Sequence, residues 1–197
     1  MFTDWLRKIS RSIIDPIVGL LARLGIHANT LTIAGCVASC AVGVVLALGH
    51  LRLGGVLLIL ASGFDALDGG LARRVNRPTR FGAFLDSVLD RISEAAVLIG
   101  LAWWYMGQPG RVPEILVYVT LLGSTMVSYT RARAEGLAIE CRIGLFSRVE
   151  RCIAIIAGLI LNVMVPVLWV LAVGTMFTTV QRVVHVYHLV KDEPFSP

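Results

Sequence analysis

Long apolar stretches alternate with short polar ones along most of this chain. Six stretches are apolar enough to predict membrane-spanning helices, at residues 29–49, 53–73, 81–105, 113–133, 148–163 and 166–189. Together they predict a six-helix bundle over residues 29–189. A longer polar loop, residues 134–147, separates the fourth and fifth predicted helices.

Residues 1–26 show a shorter pattern. Apolar side chains recur there at helical spacing with cations between them: Phe2, Trp5, Leu6, Ile9 and Ile13, with Arg7, Lys8 and Arg11. This predicts an amphipathic juxtamembrane helix that lies at the membrane interface or packs on the rest of the protein. Asp15-Pro16 then predicts the start of a second short helix, too short to span a membrane alone.

Composition supports the same class. Of the 197 residues 56% are hydrophobic, and the mean hydropathy is +0.78, well above the usual values for soluble domains. We therefore predict an all-α integral membrane protein with a single domain over residues 1–197. The net charge of +5 does not indicate nucleic-acid binding, because the basic residues fall in short loops between predicted helices.

The distribution of those basic residues predicts the topology. Nearly all Arg and Lys side chains lie in the N-terminal segment and in the loops after the second and fourth predicted helices. The loops on the other side contain only Arg52 and Arg111. By the positive-inside rule, both termini are cytoplasmic. We expect a protein of the cytoplasmic or plasma membrane of a prokaryote.

Four carboxylates interrupt the second and third predicted helices near the cytoplasmic side. Asp65 and Asp68 are three residues apart, and Asp86 and Asp90 are four apart, so each pair lies on one helical face. Two helices joined by a short loop can direct both pairs to one point. Because four clustered carboxylates repel one another, they predict a divalent cation. Oxygen ligands suit Mg²⁺ or Mn²⁺, and the lack of neighbouring His or Cys argues against zinc.

Small residues follow the first pair of carboxylates. Gly69, Gly70 and Ala72 precede Arg73. They are compatible with close helix packing, the usual role of small residues in membranes. Beside four carboxylates and Arg73, they also indicate space for a nucleotide, whose phosphates Arg73 would bind.

These residues carry a resemblance to a known family. The pattern Asp65-x-x-Asp68-Gly69-x-x-Ala72-Arg73, eight residues, Gly82-x-x-x-Asp86-x-x-x-Asp90 is similar to the signature of the CDP-alcohol phosphotransferases at every fixed position. The resemblance implies that Asp65, Asp68, Asp86 and Asp90 bind the metal and that Asp90 is the general base. It also implies a six-helix homodimer in which an alcohol hydroxyl attacks the β-phosphoryl of a CDP-lipid and releases CMP.

The resemblance extends to substrate contacts. The stretch Ala28-Asn29-Thr30-Leu31-Thr32 is similar to the family's Pro-Asn-x-Leu-Thr, with Ala28 in place of proline. The residues implied to bind the CDP-alcohol are Asn29, Thr30, Leu31, Thr32, Gly69, Ala72, Arg73, Thr79 and Gly82.

Four arginines bear on the acceptor: Arg131, Arg133, Arg148 and Arg151. Arginine binds phosphate bidentately, so they predict a phosphorylated alcohol; topology and lipid headgroups could also explain them. The segments that contain them, and residues 84–91, resemble family members that use inositol phosphate, although Ser147 and Val149 replace a Glu and a Pro. The alternatives are glycerol 3-phosphate as acceptor or, in a different class, a divalent-cation transporter.

Overall fold

The computed structural model of the chain describes residues 16–74 and 79–191. Helix α1 covers residues 16–23. Six longer helices follow: α2 Ala28–Ala47, α3 Leu51–Arg74, α4 Arg80–Met106, α5 Val112–Glu135, α6 Arg148–Ile160 and α7 Met164–Val190. The described residues contain no β-strand, so the predicted all-α class is confirmed.

Each predicted bundle helix corresponds to an observed one, within three residues at every end. The largest difference is at α6, which ends at Ile160 instead of residue 163. Asn162, in the turn that follows, has a positive φ of 57°, which ends the helix before α7 begins. The predicted amphipathic helix around Phe2–Ile13 lies outside the described residues.

The helices pack as two groups of three. Helix α2 packs against α3 and α4, and α7 packs against α5 and α6. Contacts of α3 with α6 and of α4 with α5 join the two groups. The shared core contains apolar side chains that are wholly or almost wholly buried, such as Leu46, Leu98, Val117, Leu159 and Leu168. The α3–α6 contact matters for function, because the predicted site lies on those helices and on α4.

Apolar side chains also cover the outside of the bundle. Val37, Leu60, Ile99, Trp169 and Val173 are each more than half exposed, far more apolar surface than a soluble monomer usually presents. Helices α2, α5 and α7 are each long and apolar enough to cross a membrane. These features identify an integral membrane protein.

Two glycines bring α2 and α4 into close contact. Gly43 and Gly100 are buried at the crossing of these helices. A methyl group added at Gly100 would overlap the backbone carbonyl of Gly43. Small residues at such crossings let helix backbones approach and gain van der Waals contacts.

Gly100→Ala is therefore expected to lower the free energy of unfolding by about 1–3 kcal/mol, the usual effect of overpacking. The measurement is thermal unfolding in detergent. Gly63→Ala is the matched control, because a methyl group placed there would meet no atom of another helix within 4 Å. A Gly100→Ala protein that unfolds at the wild-type temperature would contradict this account of the crossing.

The polar loop between α5 and α6 is held against α7. Arg182 is 4% exposed and donates to the carbonyl oxygen of Ile143 at 2.9 Å and to that of Val127. The amide of Phe146 donates to Oγ1 of Thr178 at 3.3 Å. These bonds fix the position at which the chain enters α6.

Candidate active site

The centre of the site is an arginine between two of the predicted aspartates. Nη2 of Arg148, in the first turn of α6, lies 2.7 Å from Oδ2 of Asp65 on α3 and 2.7 Å from Oδ1 of Asp90 on α4. The Asp90 side chain is only 10% exposed, and those of Asp65 and Arg148 about one third. The structure thus brings a cation and two carboxylates from three helices to one point.

Asp68 points to a different helix. It is buried, and its Oδ2 accepts a hydrogen bond of 2.8 Å from Oγ1 of Thr32 on α2. Thr32 was predicted to contact the nucleotide; here it supports a predicted metal ligand. A buried carboxylate that accepts a hydrogen bond is held in one orientation, so α2 helps to set the direction of Asp68.

Asp86 is close enough to Asp65, Asp68 and Asp90 for its charge to act on each of them, and Asp65 also acts on Asp68 and Asp90. Their oxygen-only donor set fits a hard divalent cation. That Asp65 and Asp90 both contact a single Arg148 nitrogen indicates that they share one cation-binding point. Within residues 16–74 and 79–191, no three acidic, His or Cys side chains converge as a metal site does. The full ligand set, Asp86 included, therefore stays a prediction.

Three residues predicted to bind the CDP-alcohol meet where α2 and α4 begin. Thr79 caps α4, with its Oγ1 accepting from the amide of Gly82 at 2.9 Å. A methyl group at Gly82 would lie 3.1 Å from Oδ1 of Asn29 and 2.9 Å from Oγ1 of Thr79. Gly82 therefore keeps a space open between two polar side chains.

The rest of that predicted set is less uniform. Thr30 is exposed, whereas Leu31 packs into a small apolar cluster with Val18 and Leu71. Helical periodicity turns the Leu31 side chain into the core, so the predicted contact of Leu31 with the nucleotide stays a prediction. Gly69 is half-buried in α3. The side chains of Ala72 and Arg73 lie outside the described part of the chain.

Arg151 differs most from expectation. It is 1% exposed, and its Nε and Nη2 each donate to a Glu94 carboxylate oxygen at 2.7 Å. Its Nη1 donates to the carbonyl oxygen of Phe146 at 3.1 Å. With its guanidinium committed in this way, Arg151 does not reach an acceptor phosphate, which corrects its predicted role.

The other two predicted acceptor arginines lie at the end of α5. Arg131 is exposed and pairs with Glu135, one turn further along, at 2.8 Å. Arg133 is also exposed. Both side chains can adopt other rotamers, because exposed ion pairs contribute little to stability. Among the four, only Arg148 contacts the aspartates in this structure.

A cavity of about 40 Å³ continues from the aspartates and Arg148 into the bundle. Its walls include Ser39, Ser62, Ser93, Glu94 and Cys152, and Oγ of Ser62 lies 3.3 Å from Sγ of Cys152. Apolar side chains, those of Leu58, Val97 and Ile155, form the rest of its lining. A space of this size can hold a water molecule bound to the polar side chains.

Two charged residues were missed at the level of sequence: Glu94, which lines the cavity of the site, and Arg182, which supports the loop before α6. The run Asp86, Asp90, Glu94 repeats every four residues, so Glu94 continues the acidic face of α4. Arg182 interrupts the apolar α7, and a charge in such a helix usually has a partner and a role. Both signals were available in the sequence.

Known proteins resemble this chain over most of its length. The family model described as CDP-alcohol phosphatidyltransferase matches residues 25–184. This chain belongs to that family. The CDP-alcohol phosphatidyltransferase chain is 40% identical over 191 residues to the archaetidylinositol phosphate synthase of Methanothermobacter thermautotrophicus, covering 94% of both proteins.

Solved structures extend the comparison to three dimensions. The phosphatidylinositol phosphate synthase of Mycobacterium tuberculosis with CDP-DAG bound superposes with a TM-score of 0.89 at 32% identity, covering 94% of this chain and 100% of that one. Its complex with manganese and citrate gives a TM-score of 0.86 at 33% identity, covering 92% of both chains. The predicted family and the predicted transferase class are thereby confirmed.

Proposed function

We propose that this protein transfers the lipid phosphate group of a CDP-activated lipid to a hydroxyl of inositol phosphate and releases CMP. The observation that carries the proposal is Arg148, a cation at the candidate base Asp90 and at Asp65. A cation at this point can bind the phosphate of a phosphorylated acceptor through charge-assisted hydrogen bonds, whereas a neutral alcohol offers no anion to bind. The family signature supplies the reaction class.

The relatives support the acceptor more firmly than the lipid. The archaeal and the mycobacterial relatives are both named as synthases of an inositol phosphate lipid. The names differ in the lipid part, archaetidyl in one and phosphatidyl in the other. The proposal therefore covers CDP-diacylglycerol and its ether-lipid equivalent.

The proposed transfer reaction gives a role to each of the following site residues. The acceptor hydroxyl oxygen forms a bond to the β-phosphorus of the CDP-lipid as the bond from that phosphorus to the bridging oxygen breaks. Asp90 accepts the hydroxyl proton, and CMP leaves with the bridging oxygen. Arg148, assisted by Arg131 and Arg133, binds the acceptor's own phosphate, while Asn29, Thr79 and Gly82 contact the nucleotide.

Asp65, Asp68, Asp86 and Asp90 would hold Mg²⁺ or Mn²⁺. A bound divalent cation offsets the charge of the diphosphate. The oxygen-only donor set fits either ion, and the mycobacterial relative has been crystallised with manganese.

The membrane arrangement completes the proposal. Helices α2–α7 all cross the membrane, with both termini and the site on the cytoplasmic side, as the distribution of arginines predicts. Helix α6 has 13 residues, about 20 Å of helix, so its span would be completed by the turn that follows it. The protein would act as a single-domain homodimer among membrane lipids.

Purified protein in detergent should release CMP from a CDP-lipid when inositol phosphate is added. Free inositol should give little CMP, since it lacks the phosphate that Arg148 binds. Excess EDTA should abolish release, and Mg²⁺ or Mn²⁺ should restore it. CMP release with glycerol 3-phosphate but not with inositol phosphate would establish the alternative acceptor. No CMP release with either of these phosphorylated acceptors would overturn the proposal.

A further inference from the structure

Two ion pairs join α4 to α6, one helical turn apart. The first is Asp90–Arg148 at 2.7 Å, and the second is Glu94–Arg151. Glu94 follows Asp90 by four residues and Arg151 follows Arg148 by three, so the second pair lies one turn deeper along both helices. We propose that Glu94 and Arg151 are positioning residues, which hold Arg148 where it binds the acceptor's phosphate. This inference rests on the proposed function.

The deeper pair is built for a fixed geometry. Two parallel hydrogen bonds of 2.7 Å join the guanidinium to both carboxylate oxygens, and the third contact goes to the carbonyl oxygen of Phe146. The planar guanidinium makes such an arrangement directional. Since Arg151 is 1% exposed, breaking the pair would leave a buried charge without its partner.

This geometry controls Arg148 through helix α6. Arg151 binds the carbonyl oxygen of Phe146, and Phe146 directly precedes Ser147, the N-cap of α6. Arg151 therefore fixes both the position at which the chain enters the helix and the rotation of the helix. A shift of α6 by one residue would turn it by about 100° and move it by about 1.5 Å. Arg148 would then no longer face Asp65 and Asp90. Setting helix register is the best-attested use of buried polar pairs.

Glu94→Gln should raise the KM for the phosphorylated acceptor about tenfold, which corresponds to about 1.4 kcal/mol. The KM for the CDP-lipid and kcat should stay within about twofold. In an Arg148→Gln background the same change should add nothing to the acceptor KM, because Glu94 acts through Arg148. An equal further increase in that background would overturn the inference.

A second variant separates positioning from folding. Glu94→Leu with Arg151→Met replaces the whole pair by apolar side chains, an exchange that often preserves or increases stability. The double variant should unfold at or above the wild-type temperature and still show the raised acceptor KM. A wild-type acceptor KM in this folded variant would show that the pair does not position Arg148.

Arg142→Gln is the matched control. Arg142 pairs with Glu140 in the exposed part of the α5–α6 loop, so its loss should leave both KM values unchanged.

The wild-type assay comes first. CMP release by the wild type together with an unchanged acceptor KM in Glu94→Gln and in the double variant overturns this inference alone. No release by the wild type with either phosphorylated acceptor overturns the proposed function and this inference with it.

Discussion

Asp90→Asn is expected to lower kcat by about a hundredfold or more, the usual contribution of a general base, and to leave the KM for the CDP-lipid nearly unchanged. Asparagine keeps the shape and polarity of the side chain but cannot accept the hydroxyl proton. The site favours this role for Asp90, since its side chain is 10% exposed and contacts Arg148, the cation proposed to bind the acceptor. The measurement is steady-state CMP release together with binding of the CDP-lipid.

The same residue is also a predicted metal ligand, and the experiment separates the two roles. If Asp90 matters mainly through the metal, raising Mg²⁺ or Mn²⁺ should restore much of the lost activity, because weaker binding is overcome by mass action. If it is the base, the loss should persist at saturating metal. Glu140→Gln is the control, since Glu140 is exposed in the loop before α6 and should lose nothing.

The fold could be predicted because the membrane environment simplifies the sequence pattern. A chain whose backbone must satisfy its own hydrogen bonds in lipid forms helices wherever apolar runs are long enough. Those runs located α2 to α7 to within three residues at every end. The largest difference is at the end of α6. Its apolar pattern continues past Ile160, but Asn162 adopts a left-handed conformation with a φ of 57°.

The aspartate cluster could also be predicted, because carboxylates in an apolar helix are energetically unfavourable and usually have a function. Carboxylates in an apolar helix need a cation or a proton, and their spacing of three and four places each pair on one face. What spacing does not give is the partner of each carboxylate. Asp68 turned out to accept from Thr32 on α2, and Arg148 to lie between Asp65 and Asp90. Such contacts depend on how the helices cross.

Depth along a helix explains the error at Arg151. Arg148 and Arg151 share a face of α6, but the second lies about 4.5 Å further along the helix axis. That distance places Arg151 inside the bundle, where it donates to Glu94 on α4. Periodicity reports the direction of a side chain but not its depth, and burial decides whether an arginine meets a substrate or a carboxylate.

Arg148→Gln should raise the KM for inositol phosphate by about ten- to a hundredfold, because a hydrogen bond to a charged group contributes about 1.5–3 kcal/mol. The KM of Arg148→Lys for inositol phosphate should lie between those of the wild type and Arg148→Gln, since an ammonium keeps the charge but cannot bind the phosphate bidentately. The KM for the CDP-lipid should change little. Arg142→Gln is again the control for removal of an arginine on the same side of the protein.

Arg148 also touches Asp65 and Asp90, so its loss could disturb the carboxylates themselves. Free inositol as a slow alternative acceptor separates these effects. If Arg148 binds the acceptor's phosphate, the substitution should reduce the kcat/KM for inositol phosphate relative to that for inositol. If it serves only to balance the carboxylates, both acceptors should lose equally and the preference should survive. The ratio of the two kcat/KM values therefore decides whether the cation at the centre of the site recognises substrate or only holds the aspartates.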